Sequence, residues 1–269
     1  MLGSNAAFAF FDLVMLLPKL SSIHALVIGA SQGIGLEFVR QLLQDERTTH
    51  LFATYRSEQT AASLFELAQQ HPQRLHCVQM DITDEAQIEA GLAQVQVLAP
   101  NLHFVINCVG LLHNEQQQPE KALRQLNTEN LLSYFQVNSI GPALIAKHVM
   151  PLLKHKEPSL LATISAKIGS IGDNRIGGWY GYRASKAALN MFLKTASIEY
   201  RRRCPNATIV MLHPGTTDTR LSKPFQRGVP PEKLFSTERT VSQLMTVISG
   251  VKAEDSGEFY SRDGSRLPL

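Results

Sequence analysis

The stretch GGWYGYRASKAALNMF, residues 177 to 192, holds two tyrosines and one lysine. Ala, Leu, Lys, Met and Arg dominate from Arg183 onward, which predicts a helix, and the Gly177-Gly178 pair marks a loop before it. Residues four apart share a helix face, so Tyr182 stands with Lys186, whereas Tyr180 does not. An ammonium beside a phenol favours the phenolate and lowers a pKa that is ordinarily about 10. Tyr182 is therefore the candidate proton donor or acceptor. A lone YxxxK more often reads as a solvated helix face, so the rest of the chain has to decide.

A second constellation is Gly29-Ala30-Ser31-Gln32-Gly33-Ile34-Gly35, placed between an apolar run, HALVIGA (24–30), and an amphipathic stretch from Ile34 to Leu43. Glycines let backbone amides approach phosphates, and a helix N-terminus adds partial positive charge, so a dinucleotide pyrophosphate would dock there. Gly29, Ser31, Gln32, Gly33, Ile34 and Gly35 are the candidate contacts. A glycine cluster is weak evidence alone and stronger directly after the first strand of a β-α series. The next strand run ends in Thr54-Tyr55-Arg56-Ser57, with no acid before Glu58. A carboxylate there would bind the ribose 2′-hydroxyl of NAD, whereas Arg56 can pair with a 2′-phosphate, which favours NADP(H). Asp81-Ile82 suits an adenine contact, and Asn107, Val109 and Gly110 give close backbone approach to the cofactor.

These residues need a scaffold, and the pattern supplies one. Strand-like runs at 24–30, 50–56, 74–81, 102–110, 159–165, 207–215 and 257–261 alternate with helix-like stretches, including a long one over 129–154 that Pro142 could kink. Alternation at this spacing implies a parallel sheet covered on both faces. The expectation is a single-domain α/β chain, a Rossmann-type doubly wound sheet of about seven strands. No repeat, linker or domain boundary interrupts it.

At 269 residues, with 44% hydrophobic and 18% charged positions, the chain has the composition of a globular α/β protein. A net charge of +3 is too small to argue for nucleic acid. Arg201-Arg202-Arg203 falls at the end of the YxxxK helix, where cations complement the dipole. The three cysteines are widely spaced, without CxxC, and no histidine cluster has metal-ligand spacing, so no metal is expected and the thiols read as reduced in a cytoplasmic compartment. Residues 1–22 form an extension of unassigned role. NAAFAFFDLVMLL is interrupted by Asp12, preceded by no basic residue, and too short for a comfortable membrane span. It reads as a start codon upstream of the domain at 23–269, or as a short helix packing on the body or a partner.

GxxxGxG, Asn-Cys-Val-Gly at 107–110, YxxxK and Pro214-Gly215, in this order, resemble the short-chain dehydrogenase/reductase family. GGWYGYRASKAALN, HPGTTDT and GSRLP are closest to its single-domain carbonyl reductases of the sniffer and C-factor type. The resemblance implies that Tyr182 exchanges a proton with the substrate oxygen. It implies that Lys186 binds the nicotinamide ribose and lowers the tyrosine pKa, and that Asn138 of FQVNSIGP holds a water in the proton relay. It places Pro214, Gly215, Thr217 and Thr219 at the nicotinamide end. One position departs: relatives carry paired serines after the fifth strand, and here the pair is Ser165-Ala166. Ser170, past Gly169, is the favoured replacement hydroxyl, with Ser165, whose side chain would point to the other face of the strand, as second choice. Either could equally be a loop hydroxyl bonding its own backbone.

The implied activity is NADPH-dependent reduction of an aldehyde or ketone. Its rival is an NADP(H)-sensing or signalling module with weak or no turnover, a reading Ala166 feeds. Residues 220–235, rich in Pro and charge, read as a lid, with Leu221 and Phe225 over an apolar pocket and Trp179 and Tyr180 at its mouth. The substrate is a small carbonyl or alcohol, and a homodimer or homotetramer is compatible with the chain.

Overall fold

The structure, a computed structural model, describes residue 17 and residues 20–269, so the reading of residues 1–22 falls almost wholly outside the described residues. Seven parallel strands form one sheet: β1 (Ile23–Ile28), β2 (Thr48–Tyr55), β3 (Leu75–Gln79), β4 (Phe104–Asn107), β5 (Ser159–Ile164), β6 (Ala207–His213) and β9 (Glu258–Ser261). Their order is β3-β2-β1-β4-β5-β6-β9. The chain runs outward from β1 to β3 and then restarts at β4 on the other side of β1. That reversal opens a crevice at the strand C-termini between β1 and β4, where α/β proteins of this topology take their ligands.

Alternation along the strands builds two cores. Ala25 and Val27 of β1 face one layer with Phe38, Leu42, Leu64, Leu244 and Ile248, from α1 (Gly33–Gln44), α2 (Ala62–Gln70) and α7 (Thr237–Gly250). Leu26 and Ile28 face the other with Ile88, Val149 and Leu189, from α3 (Glu85–Leu98), α5 (Gly141–Leu153) and α6 (Tyr180–Arg203). The sheet is thus buried on both sides, which explains its near-continuous apolar strands.

The expected long helix over 129–154 is α4 (Thr128–Phe135), one π-helical turn over Gln136–Ile140, and α5. Pro142 has no N–H to give the carbonyl of Asn138, and its ring crowds that carbonyl. The ladder shifts register there, with the Gly141 N–H bonded to the Gln136 carbonyl five residues back. Asn138 therefore sits in the bulge with its main-chain oxygen deprived of its ordinary helical donor.

The region after Pro214-Gly215 is more ordered than a lid of loops. A two-stranded parallel pair, β7 (Thr216–Thr217) and β8 (Leu234–Phe235), brackets short 3₁₀ turns at 223–228 and 231–233. Helix α7 follows, its Ser236 cap accepting from Arg239 N–H at 3.2 Å. The sequence reading missed α7, although Thr240, Val241, Leu244, Met245 and Ile248 repeat at helical spacing and are all buried. Among the described residues no helix is long and apolar enough to cross a membrane.

Candidate active site

The glycine loop after β1, Asn107–Gly110 after β4, Ser165-Ala166 after β5, the start of the YxxxK helix and Pro214-Gly215 after β6 all lie at the C-terminal edge of this sheet. Register brings Ile28 opposite Asn107, Asn107 opposite Thr163, and Ile164 opposite Leu212, so the loops after β1, β4, β5 and β6 meet.

The glycine loop is tied to β2: Gly29 N–H donates to Thr54 Oγ1 at 3.0 Å and Ala30 N–H to the Thr54 carbonyl at 2.8 Å. Gly29 has φ +79°, and a Cβ there would lie 2.6 Å from Val109 Cγ2, so only glycine admits both the turn and the approach of the β4 loop. At Gly35 a Cβ would strike the Gly29 carbonyl. Helix α1 starts at this turn with Gln32 as its cap residue, no side-chain cap bond and no acid in its first turn. Its first amides are left for an anion, the donor set a pyrophosphate requires. Ser31, Gln32 and Ile34 flank that end, and Thr219 reaches over from beyond β6, 3.4 Å from the place a Cβ of Gly33 would take. Arg56, one residue past β2, is exposed.

The other nucleotide-end candidates are less free. One oxygen of Asp81 accepts from Thr83 N–H at 2.9 Å and from Thr83 Oγ1 at 2.7 Å. Ile82 is core, so it can offer a ligand only its backbone. Asn107 Oδ1 accepts from Val109 N–H at 3.1 Å, while its buried Nδ2 has no partner, an orphaned donor at the crevice floor. Thr217 Oγ1 is spent on Thr240 at 2.9 Å and on the Pro214 carbonyl at 3.4 Å. Gly215 turns with φ +72° under Arg262.

Helix α6 presents its motif inward. Tyr182 and Lys186 are both buried, with Lys186 Nζ 6.0 Å from the Tyr182 ring centre and donating to the Ile164 carbonyl at 3.1 Å. A Cβ on Gly110 would touch both Lys186 Nζ and Asn138 Oδ1 at 3.7 Å, which places the β4 loop against both groups. Asn138 Oδ1 accepts from Leu111 N–H at 2.7 Å, and its Nδ2 donates to the Leu111 carbonyl at 2.8 Å and to Ser185 Oγ at 3.0 Å. Its side chain is thus fully used in holding that loop. Burial, not the pairing of charges, sets the titration here: it pushes the Tyr182 phenol up, with Tyr134 adding to the rise, and draws Lys186 down to about 8. That differs from the expected lysine-lowered phenol, because at this separation loss of water outweighs the ammonium's field.

The serine question resolves into geometry. Ser165 is buried and donates to Asn190 Oδ1 at 2.6 Å, while Ala166 packs against the small apolar cluster that includes Tyr182. Position 166 thus carries a methyl group beside the cluster that contains the tyrosine. Ser170 is buried at the end of the 167–169 turn, accepting from Asp173 N–H at 3.3 Å and keeping its own proton to donate. No hydrogen bond links it to Tyr182 among the described residues. Gly169 lies directly on the Lys186 backbone, which fixes that turn against the YxxxK helix.

A sequence model of the short chain dehydrogenases matches residues 23–229. The chain belongs to that family. By family it is an oxidoreductase. A curated uncharacterized oxidoreductase of Schizosaccharomyces pombe is 28% identical over 253 residues, 90% of this chain and 96% of that protein. Among solved structures, an NADPH-bound carbonyl reductase from chicken fatty liver is 29% identical with a TM-score of 0.83, covering 93% of this chain and 100% of that one. The carbonyl reductase Sniffer of D. melanogaster is 25% identical with a TM-score of 0.81, covering 92% and 100%.

In this short-chain dehydrogenase, three supporting residues escaped the sequence reading. Ser185 Oγ accepts from Asn138 and donates to the Tyr182 carbonyl at 2.9 Å. Tyr134 stands edge-on to Tyr182, its hydroxyl donating to the Leu112 carbonyl at 2.7 Å. Glu120 is buried and caps the start of α6: its Oε2 accepts from Gly181 N–H at 3.1 Å and its carbonyl from Trp179 N–H. That clamp holds Trp179 at φ +53°, a strained conformation for a tryptophan, with its ring 4.9 Å from Phe225 and 6.2 Å from Tyr182. Trp179, Phe225, Leu221, Leu112 and Ile168 thus gather around the tyrosine as an apolar wall. Only Ser185 had a local signal, on the YxxxK face; Tyr134 and Glu120 arrive from distant segments.

Proposed function

We propose that this chain is an NADPH-dependent reductase of aldehydes or ketones with Tyr182 as its acid. One observation carries the reading: Tyr182 and Lys186 are buried side by side at the crevice that also holds an uncapped, glycine-lined helix N-terminus. The amides of residues 31–35 would hold the pyrophosphate, Arg56 the 2′-phosphate, and Lys186 the nicotinamide ribose. When bound, NADPH would be the source of the hydride for the carbonyl carbon. Tyr182 delivers its proton to the carbonyl oxygen, giving the alcohol. Burial keeps Tyr182 protonated at neutral pH, so its proton is held until the more basic alkoxide formed by hydride addition takes it. The Asn138 carbonyl, lacking its helical donor, is the group that can hold a relay water, and the apolar wall around Tyr182 excludes bulk water from the transfer. Ser170 is the candidate donor to the developing alkoxide. Three free thiols fit the cytoplasmic placement, where reduced thiols persist.

The sensor reading draws on Ala166, which deprives the site of its usual hydroxyl. NADPH oxidation against a panel of aldehydes and ketones, beside direct NADPH binding, separates the two. Turnover that collapses in Tyr182→Phe while NADPH still binds is the expected result. Binding without turnover on any carbonyl would favour the sensor, and full turnover in Tyr182→Phe would end the assignment of the acid.

A further inference from the structure

Five of the chain's nine histidines line the opposite edge of the sheet. The rings of His76, His50, His24, His103 and His155 follow one another with centroid separations of 5.5, 5.1, 5.2 and 5.2 Å. The catalytic site uses none of them. At the inner end of this row, a ring nitrogen of His103, one of His155 and a carboxylate oxygen of Glu157 lie within 4.8 Å of one another.

The hydrogen bonds assign the protons. His24 N–H donates to His103 Nδ1 at 3.0 Å, so Nδ1 carries a lone pair and the neutral ring bears its proton on Nε2. That Nε2–H points at Glu157 Oε2, 3.0 Å away. His155 Nε2 lies 2.7 Å from the Leu102 carbonyl, which can only accept, so its proton is on Nε2 and its lone pair on Nδ1. His155 Nδ1 is buried and has no partner. The same cluster thus holds a bare imidazole lone pair on His155 and the Glu157 carboxylate, the first residue oriented by a backbone carbonyl and the second by an imidazole N–H. This is the outer-shell arrangement that orients metal ligands.

We infer that this edge holds a site for a divalent transition-metal ion of the Zn²⁺ class, ligated by His155 Nδ1 and Glu157, with His103 positioning the carboxylate. Imidazole and carboxylate together suit Zn²⁺ rather than Mg²⁺ or Ca²⁺. Ligand bonds of about 2.0–2.2 Å require the two donor atoms to converge on one ion, and Glu157, with a side chain 57% exposed, is free to adjust to it. His155 is fixed in the turn after α5, where Asn206 Nδ2 donates to the carbonyls of His155 at 3.1 Å and Lys156 at 3.0 Å. Water completes the coordination. His103 stays outside it, because ligation through Nε2 would force the ring to give up either a proton or the His24 amide. Among the described residues, the other grouping of this kind, Glu85, Glu89 and His148, already holds a cation, since Lys147 Nζ sits 2.7 Å from Glu85 Oε1.

The test is competition for Zn²⁺ between the full chain and a chromophoric chelator, with the number of ions taken up per chain. One ion per chain is expected, together with a rise in thermal midpoint on adding Zn²⁺. Glu157→Gln, which keeps an oxygen to accept from His103, should weaken uptake at least tenfold, and His155→Ala should do the same. His103→Gln should cost about 10–100-fold through the lost support of the carboxylate. Glu85→Gln should change nothing. No uptake by the unaltered chain would overturn the inference, as would uptake undiminished in Glu157→Gln, or uptake that falls with Glu85→Gln instead.

Discussion

The two edges of this one sheet are built by different rules. At the C-terminal edge, the candidate site residues come in contiguous motifs: the glycine loop after β1, Asn107–Gly110 after β4, Pro214-Gly215 after β6, and Tyr182 with Lys186 one helical turn apart. At the N-terminal edge, the histidines are strangers in sequence. His24 stands opposite His50 in register, and His50 bonds His76 at 3.3 Å across 26 residues. Parallel strands set equivalent starts side by side, about 4.8 Å apart, so a residue repeated once per β-α unit becomes a row in space. A catalytic edge needs turns and helix ends, which local spacing encodes. A lateral row needs only register, which no local motif records.

The largest effect that sharpens this contrast, after loss of the acid proposed at Tyr182, is expected at the serine proposed to replace the hydroxyl absent from position 166. Removal of one oxyanion donor typically costs on the order of 10²–10³ in rate. Ser170→Ala is expected in that range on any accepted carbonyl, whereas Ser165→Ala, whose hydroxyl is committed to Asn190 at 2.6 Å, should cost far less. Ala166→Ser should restore most of the Ser170→Ala loss, since position 166 packs against the apolar cluster that includes Tyr182. Steady-state kinetics on the four proteins decide it. Full activity in Ser170→Ala with a dead Ser165→Ala would reverse the two serines.

The same contrast explains what the sequence disclosed. The seven strands, the parallel sheet and the two-faced core follow from alternation and glycine punctuation, and the strand limits read from sequence differ from those observed by at most three residues at either end. Helix α7 was readable from Ser236 and the spacing of Val241, Leu244 and Ile248, but the Pro-rich stretch before it drew the eye to a lid. The π turn around Asn138 was half legible: Pro142 announced a kink, not a register shift. Glu120, Tyr134 and the histidine row were illegible, because each acts on residues that only the fold brings near. The expectation of no histidine cluster rested on local spacing, and local spacing is blind to register.

His213 joins the two views, since it lies at the catalytic edge yet was passed over as part of HPG. Burial, followed by the charges of Lys167 and Arg262, lowers its pKa to about 4, against the partial opposition of Asp263 and Asp173. Its Nδ1 is buried without a partner. Between about pH 4 and 6.5 the unfolded chain binds a proton here that the folded chain refuses, so this group's share of stability is intact above 6.5 and lost as pH falls toward 4. The shift corresponds to about 3 kcal/mol at the lower limit. Denaturant unfolding across this window should show the loss, and His213→Gln should flatten it. An unchanged slope in that variant would assign the acid sensitivity elsewhere.

The smallest effect tests whether one strand can serve both edges independently. β2 carries His50 near its start and is followed by Arg56 at its end, beside a glycine loop that Thr54 pins through both its hydroxyl and its carbonyl. An exposed guanidinium there has no carboxylate partner among the described residues, so it is available to a 2′-phosphate. Arg56→Ala should weaken NADPH binding by roughly 1–3 kcal/mol, the scale of a charge-assisted contact, and leave NADH binding nearly unchanged. Fluorescence titration of both dinucleotides measures the difference directly, and raised salt should shrink it because the contact is exposed. Equal affinity for NADPH and NADH in the unaltered chain would remove Arg56 from the site, while the glycine loop and the buried Tyr182–Lys186 pair would stand without it.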